Sequence, residues 1–427
     1  MAVATFPSPE PAPGSPVAGP DPASCPRVSA VTDWLVQQGL LRTPFHVIVE
    51  GFCRRLYDLG VPLWRGYATA QTLHPTIAAL GASWRPATGG QFEAYIYRAT
   101  PSDDYLQSPF RSMLDGRLNT LRLRLGTGET GGFPLLERFR GEGATDYVAH
   151  VIGFGVDGVT DGVTGVLTSW TAATPEGFSD VHLAIIEHLM PRFALALEAR
   201  LGHDIAVNLL DTYVGPEAGR RVIGGEIRRG SLEVIPAVIL LADLQGFTGL
   251  SDRLPRDTLI ETLNAYFDCM VPVVTEHGGQ VLKFMGDGLL ATFPLDEADP
   301  PDVCGRALDA AVEILRCLAE LNHERTLQDR PVMELDLVLH LGEVLYGNVG
   351  SADRLDFTVI GPAVNEASRI EALCGQYDKR LLVSETFARA ATRSRDRLVA
   401  IGRIALRGVR TPQEIFTLEP DQADEPG

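Results

Sequence analysis

Two aspartates and the glycines beside them set the chemistry this chain can attempt. The apolar run Ile235–Ala242 ends in Asp243, and Gly246 follows three residues later. A carboxylate at the end of a strand faces a cleft, and a glycine lets the backbone pass close to a bound phosphate. Taken alone, an aspartate that ends a strand is more often a helix cap or a turn residue. The stretch Val281–Phe293 holds Lys283 and a tight Gly286-Asp287-Gly288 turn between two apolar strands. A hairpin accounts for those glycines, but not for a second apolar-flanked aspartate. If the two strands are neighbours, Asp243 and Asp287 converge at one edge. Paired carboxylates beside a glycine turn suit Mg²⁺, a hard ion that leaves positions for phosphate and water. Two such ions would stabilise the attacking and leaving oxygens of an in-line displacement. Attack of a 3′-hydroxyl on its own α-phosphate, with pyrophosphate leaving, has that requirement.

A third stretch, Leu355–Ile370, places Asn365 and Arg369 four residues apart. On a helix they share one face. An amide can fix a ribose, and a guanidinium can meet charge developing on phosphorus. The same spacing is also common decoration on surface helices. Leu406-Arg407-Gly408 sets one more cation near a late strand.

These groups need elements to hold them. From residue 233 to 421 the pattern alternates: a strand at Ile235–Ala242, a helix at Pro255–His277, and a strand–turn–strand unit at Gln280–Phe293. A helix at Pro301–Asn322 follows, then strands at Met333–Leu341 and Glu343–Asn348, and a short helix at Ala363–Leu373. The order β-α-β-β-α-β is the split βαβ, ferredoxin-like plan, so the expected class is α+β. Ahead of it, residues 29–200 read as a mixed α/β domain. It has a helix at Pro44–Leu59, strands at Pro62–Tyr67, Phe92–Tyr97, Tyr147–Phe154 and Gly165–Trp170, and a closing helix at Ser179–Ala199. The last two strands, separated by a Gly- and Asp-rich turn, suggest a hairpin. Residues 1–28 are a Pro- and Ala-rich tail expected to be disordered. Residues 201–232 form a connector with a short amphipathic helix around Leu209, Leu210, Tyr213 and Val214, followed by a glycine-punctuated basic stretch. It is expected to pack on both neighbours.

Composition narrows the partners. The net charge of −18 over 427 residues argues against nucleic acid or an anionic membrane as a ligand. Nucleotide phosphates then require local cations or metal ions. The six cysteines are scattered without metal-ligand spacing and read as free thiols of a reducing compartment. No apolar run approaches the length of a membrane span, and no targeting signal is evident. A cytoplasmic protein is expected.

Taken in this order, the three motif stretches resemble the signature segments of class III adenylate/guanylate cyclases. The resemblance implies residue roles. Asp243 and Asp287 match the two metal-binding aspartates, with the Leu244 carbonyl as a further ligand, for two Mg²⁺ or Mn²⁺ per site. Lys283 matches the lysine that reads a purine ring nitrogen, and Thr358 the second purine-reading residue. Asn365 and Arg369 match the ribose-orienting and transition-state residues. Arg407 stands where the family usually carries a lysine for the terminal phosphates. Adenine offers a ring-nitrogen acceptor and an amino donor, which a lysine and a threonine hydroxyl answer; guanylate cyclases carry an acid such as Glu at the lysine position. The resemblance therefore implies an adenylate cyclase making cyclic AMP from ATP, working as a head-to-tail homodimer with shared sites. The Thr variant resembles the subgroup stimulated by bicarbonate. Gln245, often Arg in that family, and the acidic Glu366 depart from the pattern without removing a required group. A guanylate cyclase and a non-catalytic nucleotide-binding module remain as alternatives. A diguanylate cyclase would want a Gly-Gly-Asp/Glu-Glu-Phe turn, which Gly286-Asp287-Gly288 is not. The element order of residues 29–200 resembles a GAF-type sensor domain of unknown ligand, with Arg65, Tyr67, His74, Trp84 and Trp170 as pocket candidates. Tyr213-Val214-Gly215-Pro216 is similar to the connector of soluble bacterial cyclases.

Overall fold

The computed structural model describes residues 22–98, 100–154, 165–295, 299–409 and 411–419. Residues 1–21 of the expected tail and the Gly/Asp-rich turn at 155–164 lie outside the described residues. The chain divides into two units, Met1–Leu209 and Leu210–Gly427.

The first unit runs α1 (Pro26–Leu40), α2 (Phe45–Asp58), β1 (Leu63–Gln71), β2 (Ile77–Arg85), β3 (Gly89–Ile96), α3 (Asp103–Leu106), α4 (Pro109–Asp115), β4 (Thr120–Leu123), α5 (Pro134–Gly141), β5 (Asp146–Gly153), β6 (Gly165–Ala172) and α6 (Asp180–Val214). Its strands form an antiparallel six-stranded sheet in the order β3-β2-β1-β6-β5-β4. Residues Ile48, Val49, Phe52, Cys53 and Leu56 of α2 recur at helical spacing and are buried. They meet Val148, Val166 and Trp170 on one sheet face, together with α1 and α6. Phe52 meets Trp170 edge-on and stacks on Phe193 of α6. On the opposite face Tyr147, Ala149 and Val151 pack under Met113 of α4 and Leu136 and Phe139 of α5.

Four expectations are corrected here. The helix α1 begins at Pro26, inside the expected tail, and was not foreseen. Strand β2 was missed because Ala78, Ala79, Gly81, Ala82 and Ser83 are too small to show an apolar alternation. The helix expected to stop at Ala199 continues as α6 to Val214, so the connector has no separate helix at Leu209–Val214. The five pocket candidates do not converge. Trp84 and Trp170 are buried in the helix-covered core, while Arg65 lies over Tyr67 and Phe139. His74 accepts backbone N–H groups of Thr76 and Ile77 in a turn. The expected pairing of Tyr147–Phe154 with Gly165–Trp170 is present as β5 and β6.

The second unit runs α7 (Pro216–Ile223), β7 (Leu232–Gln245), α8 (Phe247–Ser251), α9 (Arg256–Glu276), β8 (Gln280–Met285), β9 (Gly288–Pro294), α10 (Pro300–Leu327), β10 (Glu334–Gly350), β11 (Leu355–Ile360), α11 (Pro362–Glu371), α12 (Cys374–Tyr377), β12 (Leu381–Val383), α13 (Glu385–Ala390), β13 (Leu398–Ile404) and β14 (Gln413–Leu418). The eight-stranded sheet has the order β13-β14-β12-β10-β7-β9-β8, with β11 paired to β10. Within it β10-β7-β9-β8, joined through α9 and α10, is the ferredoxin-like plan expected from the sequence. Both faces are covered. Val238, Leu240 and Ala242 face α9 and α10, and Ala237, Ile239 and Leu241 face α7 and α11. This double burial is why β7 reads as an unbroken apolar run rather than an alternation. The two strands expected at Met333–Leu341 and Glu343–Asn348 are one continuous strand, β10: Gly342 stays in the ladder opposite Ala237. The connector residues 216–223 pack on this unit, with Ala218 in its core and Arg221 bonded to Glu217 and Glu233.

Candidate active site

Strand register brings the two sequence-predicted aspartates together. Asp243 stands near the end of β7, opposite Gly288 on β9 and Asp336 on β10. Residues directly opposite in an antiparallel pair share one face, so Asp243 and Asp336 sit side by side. A Cβ on Gly288 would lie 2.9 Å from Asp243 Oδ1 and 3.0 Å from the Ala242 carbonyl oxygen. Only glycine leaves that carboxylate its place. Asp287 comes just before, in the two-residue turn between β8 and β9. The positive φ of 71° falls on Gly286, the first central residue, as a type II′ hairpin requires.

The electrostatics are one-sided. Asp243 accepts no side-chain hydrogen bond and meets no cation among the described residues. Burial, then Asp287, then Asp336 push its carboxyl up to about 6. Asp336 is buried and also raised by burial, an effect opposed by Gln245, whose Nε2 donates to its Oδ1 at 2.6 Å. Glu371, at the end of α11, is raised by burial and then by Asp243 and Asp336. No three His, Cys, Asp or Glu side chains among the described residues form a complete metal-ligand set. The donor set nevertheless fits a divalent cation that takes part of its shell from phosphate and water. An uncompensated, half-buried carboxylate beside a second one is relieved by such a charge.

The other expected residues fall in separate places. Lys283 is on β8, its Nζ 3.3 Å from Asp356 Oδ2 on β11. Thr358, also on β11, is buried, and its hydroxyl has no hydrogen-bond partner among the described residues. Asn365 is exposed and Arg369 half-buried on α11, where Ala363, Ala367 and Ile370 form the inward stripe. The Asn365 and Arg369 positions lie about 200° around the helix from Ala363 and Ala367, facing away from their own core. A side chain on Gly408 would meet the Arg369 guanidinium at 3.4 Å, so Arg369 reaches the loop that carries the exposed Arg407. The Leu244 side chain is buried, and its residue pairs with Leu335 of β10.

Residues 233–420 match the family model of the adenylate and guanylate cyclase catalytic domain. That segment is a nucleotidyl cyclase catalytic domain. The cyclase domain is similar to an adenylate cyclase of Anabaena cylindrica, 35% identical over 167 residues, covering 38% of this chain and 32% of the relative. An uncharacterized protein of Mycobacterium tuberculosis is 30% identical over 215 residues, covering 49% of this chain and 37% of the relative. The chain thus spans about a third of the length of these curated relatives. Among solved structures, the guanylyl cyclase Cya2 is 34% identical and matches 44% of this chain and 93% of its own, with a TM-score of 0.39. The adenylyl cyclase CyaB of P. aeruginosa is 24% identical over 44% of this chain and 96% of its own, with a TM-score of 0.40.

Sequence reasoning about the cyclase domain missed three acids: Asp336, Asp356 and Glu371. Asp336 had a visible signal, since it is a lone charge in the apolar run Leu335–Leu341. Its place opposite Asp243 depends on strand register, which the run does not encode. No helix of the described residues is long and apolar enough to cross a membrane.

Proposed function

We propose that the cyclase domain converts ATP to 3′,5′-cyclic AMP and pyrophosphate, in sites completed by a second copy of the chain. The observation that carries this reading is the pair Asp243 and Asp287, held beside Gly288 with no compensating cation among the described residues. Two Mg²⁺ or Mn²⁺ ions, held by these carboxylates and the Leu244 carbonyl, would lower the pKa of the ribose 3′-hydroxyl and neutralise the triphosphate. The remaining work belongs to side chains. Lys283 donates to an adenine ring nitrogen, and the unpartnered Thr358 hydroxyl accepts from the exocyclic amine. Asp356, with its Oδ2 3.3 Å from Lys283 Nζ, holds the lysine head beside β11. Asn365 orients the ribose, Arg369 meets charge developing on the α-phosphate, and Arg407 binds the terminal phosphates.

The geometry of α11 supports a shared site. Glu371, on the side of the helix turned towards Asp243, lies about 200° from Arg369. The Asn365–Arg369 face therefore points away from the aspartates of its own chain. A head-to-tail homodimer brings one chain's aspartates to the other chain's helix. The first unit is read as a GAF-type sensor that regulates this reaction in the cytoplasm.

The test uses the purified full chain with ATP or GTP and Mg²⁺ or Mn²⁺. Cyclic AMP should form, and Asp287→Ala and Arg369→Ala should each abolish it. Mixing these two dead variants should restore part of the activity, because one site of a mixed dimer keeps every group. Undiminished product from Asp287→Ala would overturn the metal assignment. Failure of complementation would overturn the shared site, and preferred use of GTP would overturn the base assignment.

A further inference from the structure

Helices α9 and α10 lie side by side over one face of the second unit's sheet, and each carries a cysteine on its packed side. Cys269 of α9 is buried in the apolar core of that face, and the half-buried Cys317 of α10 packs against the same core. Contacts between the helices fix their register. Arg325 Nη2 donates to Thr262 Oγ1 at 2.8 Å, and the Tyr266 hydroxyl donates to the Asn322 side-chain carbonyl. Further along α9, His277 Nε2 lies 3.6 Å from Glu313 Oε2. Partners on α10 step backwards as α9 advances, so the helices are antiparallel. Between the second and third of these contacts the ladder brings Cys269 beside Cys317. We propose that Cys269 and Cys317 form a reversible dithiol–disulfide site, oxidised by peroxides, that ties α9 to α10. The inference stands independently of the cyclase reading.

Exposure divides the roles of the two thiols. Cys317 is the one that solvent reaches, and oxidation follows access. Its thiolate attacks one oxygen of the peroxide, the O–O bond breaks, and water or an alcohol leaves with the other oxygen. Cys317 is then a sulfenic acid and the peroxide has been reduced. Burial and then the contact with the Cys317 thiol push the Cys269 thiol up to about 12, and the acids Asp268 and Glu320 add to the effect. A thiol held protonated is a poor first nucleophile, so Cys269 serves as the resolving partner. Its sulfur attacks the Cys317 sulfur, the S–O bond breaks, and the hydroxyl leaves with the Cys269 proton as a second water.

The bond closes a loop through residues 270–316, which holds β8, the Asp287 turn and β9. It ties the helix that enters this hairpin to the helix that leaves it. Cys317 belongs to the sheet face opposite the one covered by α7 and α11, so association through α11 leaves it open to small oxidants.

The test treats the reduced full chain with a small excess of hydrogen peroxide and maps the cysteines by mass spectrometry without reduction. A peptide joining residues 269 and 317 should appear, with the loss of two hydrogens, and dithiothreitol should reverse it. Cys317→Ser should abolish the link and leave Cys269 reduced. Cys269→Ala should strand Cys317 as a sulfenic acid that dimedone captures, whereas the native chain gives little adduct. The digest of the native chain decides the linkage even where a variant unfolds. A second-unit melting midpoint higher by about 5 °C in the oxidised chain is expected from closing the loop. Sulfinic acid at Cys317 beside a reduced Cys269 would overturn the proposal, as would linkage of either cysteine to a different one. An unchanged melting midpoint in the linked chain would overturn the tie between the helices. No readout depends on turnover, so an inactive catalytic domain would leave the result unchanged.

Discussion

Each unit holds a buried or half-buried aspartate on a non-edge strand of its sheet, and the two are treated in opposite ways. Asp146, the first residue of β5, is fully enclosed. It accepts from Arg122 Nε at 3.3 Å, from Arg122 Nη2 at 2.7 Å and from the Phe178 backbone N–H at 3.0 Å. Asp243, near the end of β7, has acids for neighbours and no donor among the described residues. A saturated carboxylate has no capacity left for a ligand and serves the fold, tying β4, β5 and the entry to α6 together. An unsaturated one among like charges is a cost to the fold that a bound cation removes. The difference separates a structural aspartate from a functional one without reference to any motif.

Substitution should break the comparison most visibly at Asp146. Asp146→Ala leaves the half-buried Arg122 with only the Phe178 carbonyl as acceptor, and removal of one member of a buried pair costs about 3 kcal/mol. Urea unfolding followed by a first-unit probe such as Trp170 fluorescence should show that loss. Asp243→Asn should do the reverse. Two pK units are worth about 2.7 kcal/mol in full, and solvent access at this half-buried site reduces the gain to about 1 kcal/mol. The variant should melt higher without divalent ions while making no cyclic nucleotide. A lower melting point would show that Asp243 is structural after all.

How much of this contrast was legible beforehand depended on range. Asp243 and Asp287 could be picked out because each is flanked by its own apolar run and glycine, signals that act within a few residues. The ferredoxin-like order could be read because helices and strands alternate strongly in residues 233–421. Asp146 gave no such signal, since its partners Arg122 and Phe178 are distant in sequence. Asp336 escaped for a related reason: a carboxylate opposite Asp243 is a fact of register, and register is set by turns and burial over the whole sheet. The extension of α6 to Val214 was hidden because the core-facing stripe on which the helix assignment rested ends at Leu201.

The raised carboxyl of Asp243 also fixes a pH dependence. Its folded value of about 6 exceeds the ordinary 3.8, so between those values the folded protein binds more protons than the unfolded chain. Stability from this group is therefore greatest at low pH and falls as pH rises through about 6. In EDTA, going from pH 7 to pH 5 should stabilise the second unit in the native chain relative to Asp243→Asn. With Mg²⁺ the trend should reverse, because the ion needs the deprotonated carboxylate. Melting curves at the two pH values with and without Mg²⁺ decide it; the same slope in both conditions would detach the carboxylate from metal binding.

The smallest expected effect compares two threonines whose buried hydroxyls have no partner among the described residues, Thr168 in the first unit and Thr358 in the second. Replacing an unsatisfied hydroxyl by a methyl of similar shape removes a desolvation cost without opening a cavity. Thr168→Val and Thr358→Val should each stabilise their own unit, by about 0.5 kcal/mol. They should part company in turnover. Thr168 stands on the helix-covered core face opposite His150, so its replacement should leave activity unchanged. Thr358 is left unpartnered where the proposal needs an acceptor for the adenine amine, so its replacement should raise KM for ATP and narrow the preference over GTP. Equal kinetics for the two variants would mean that both hydroxyls are packing residues, and base recognition would then rest on Lys283 alone.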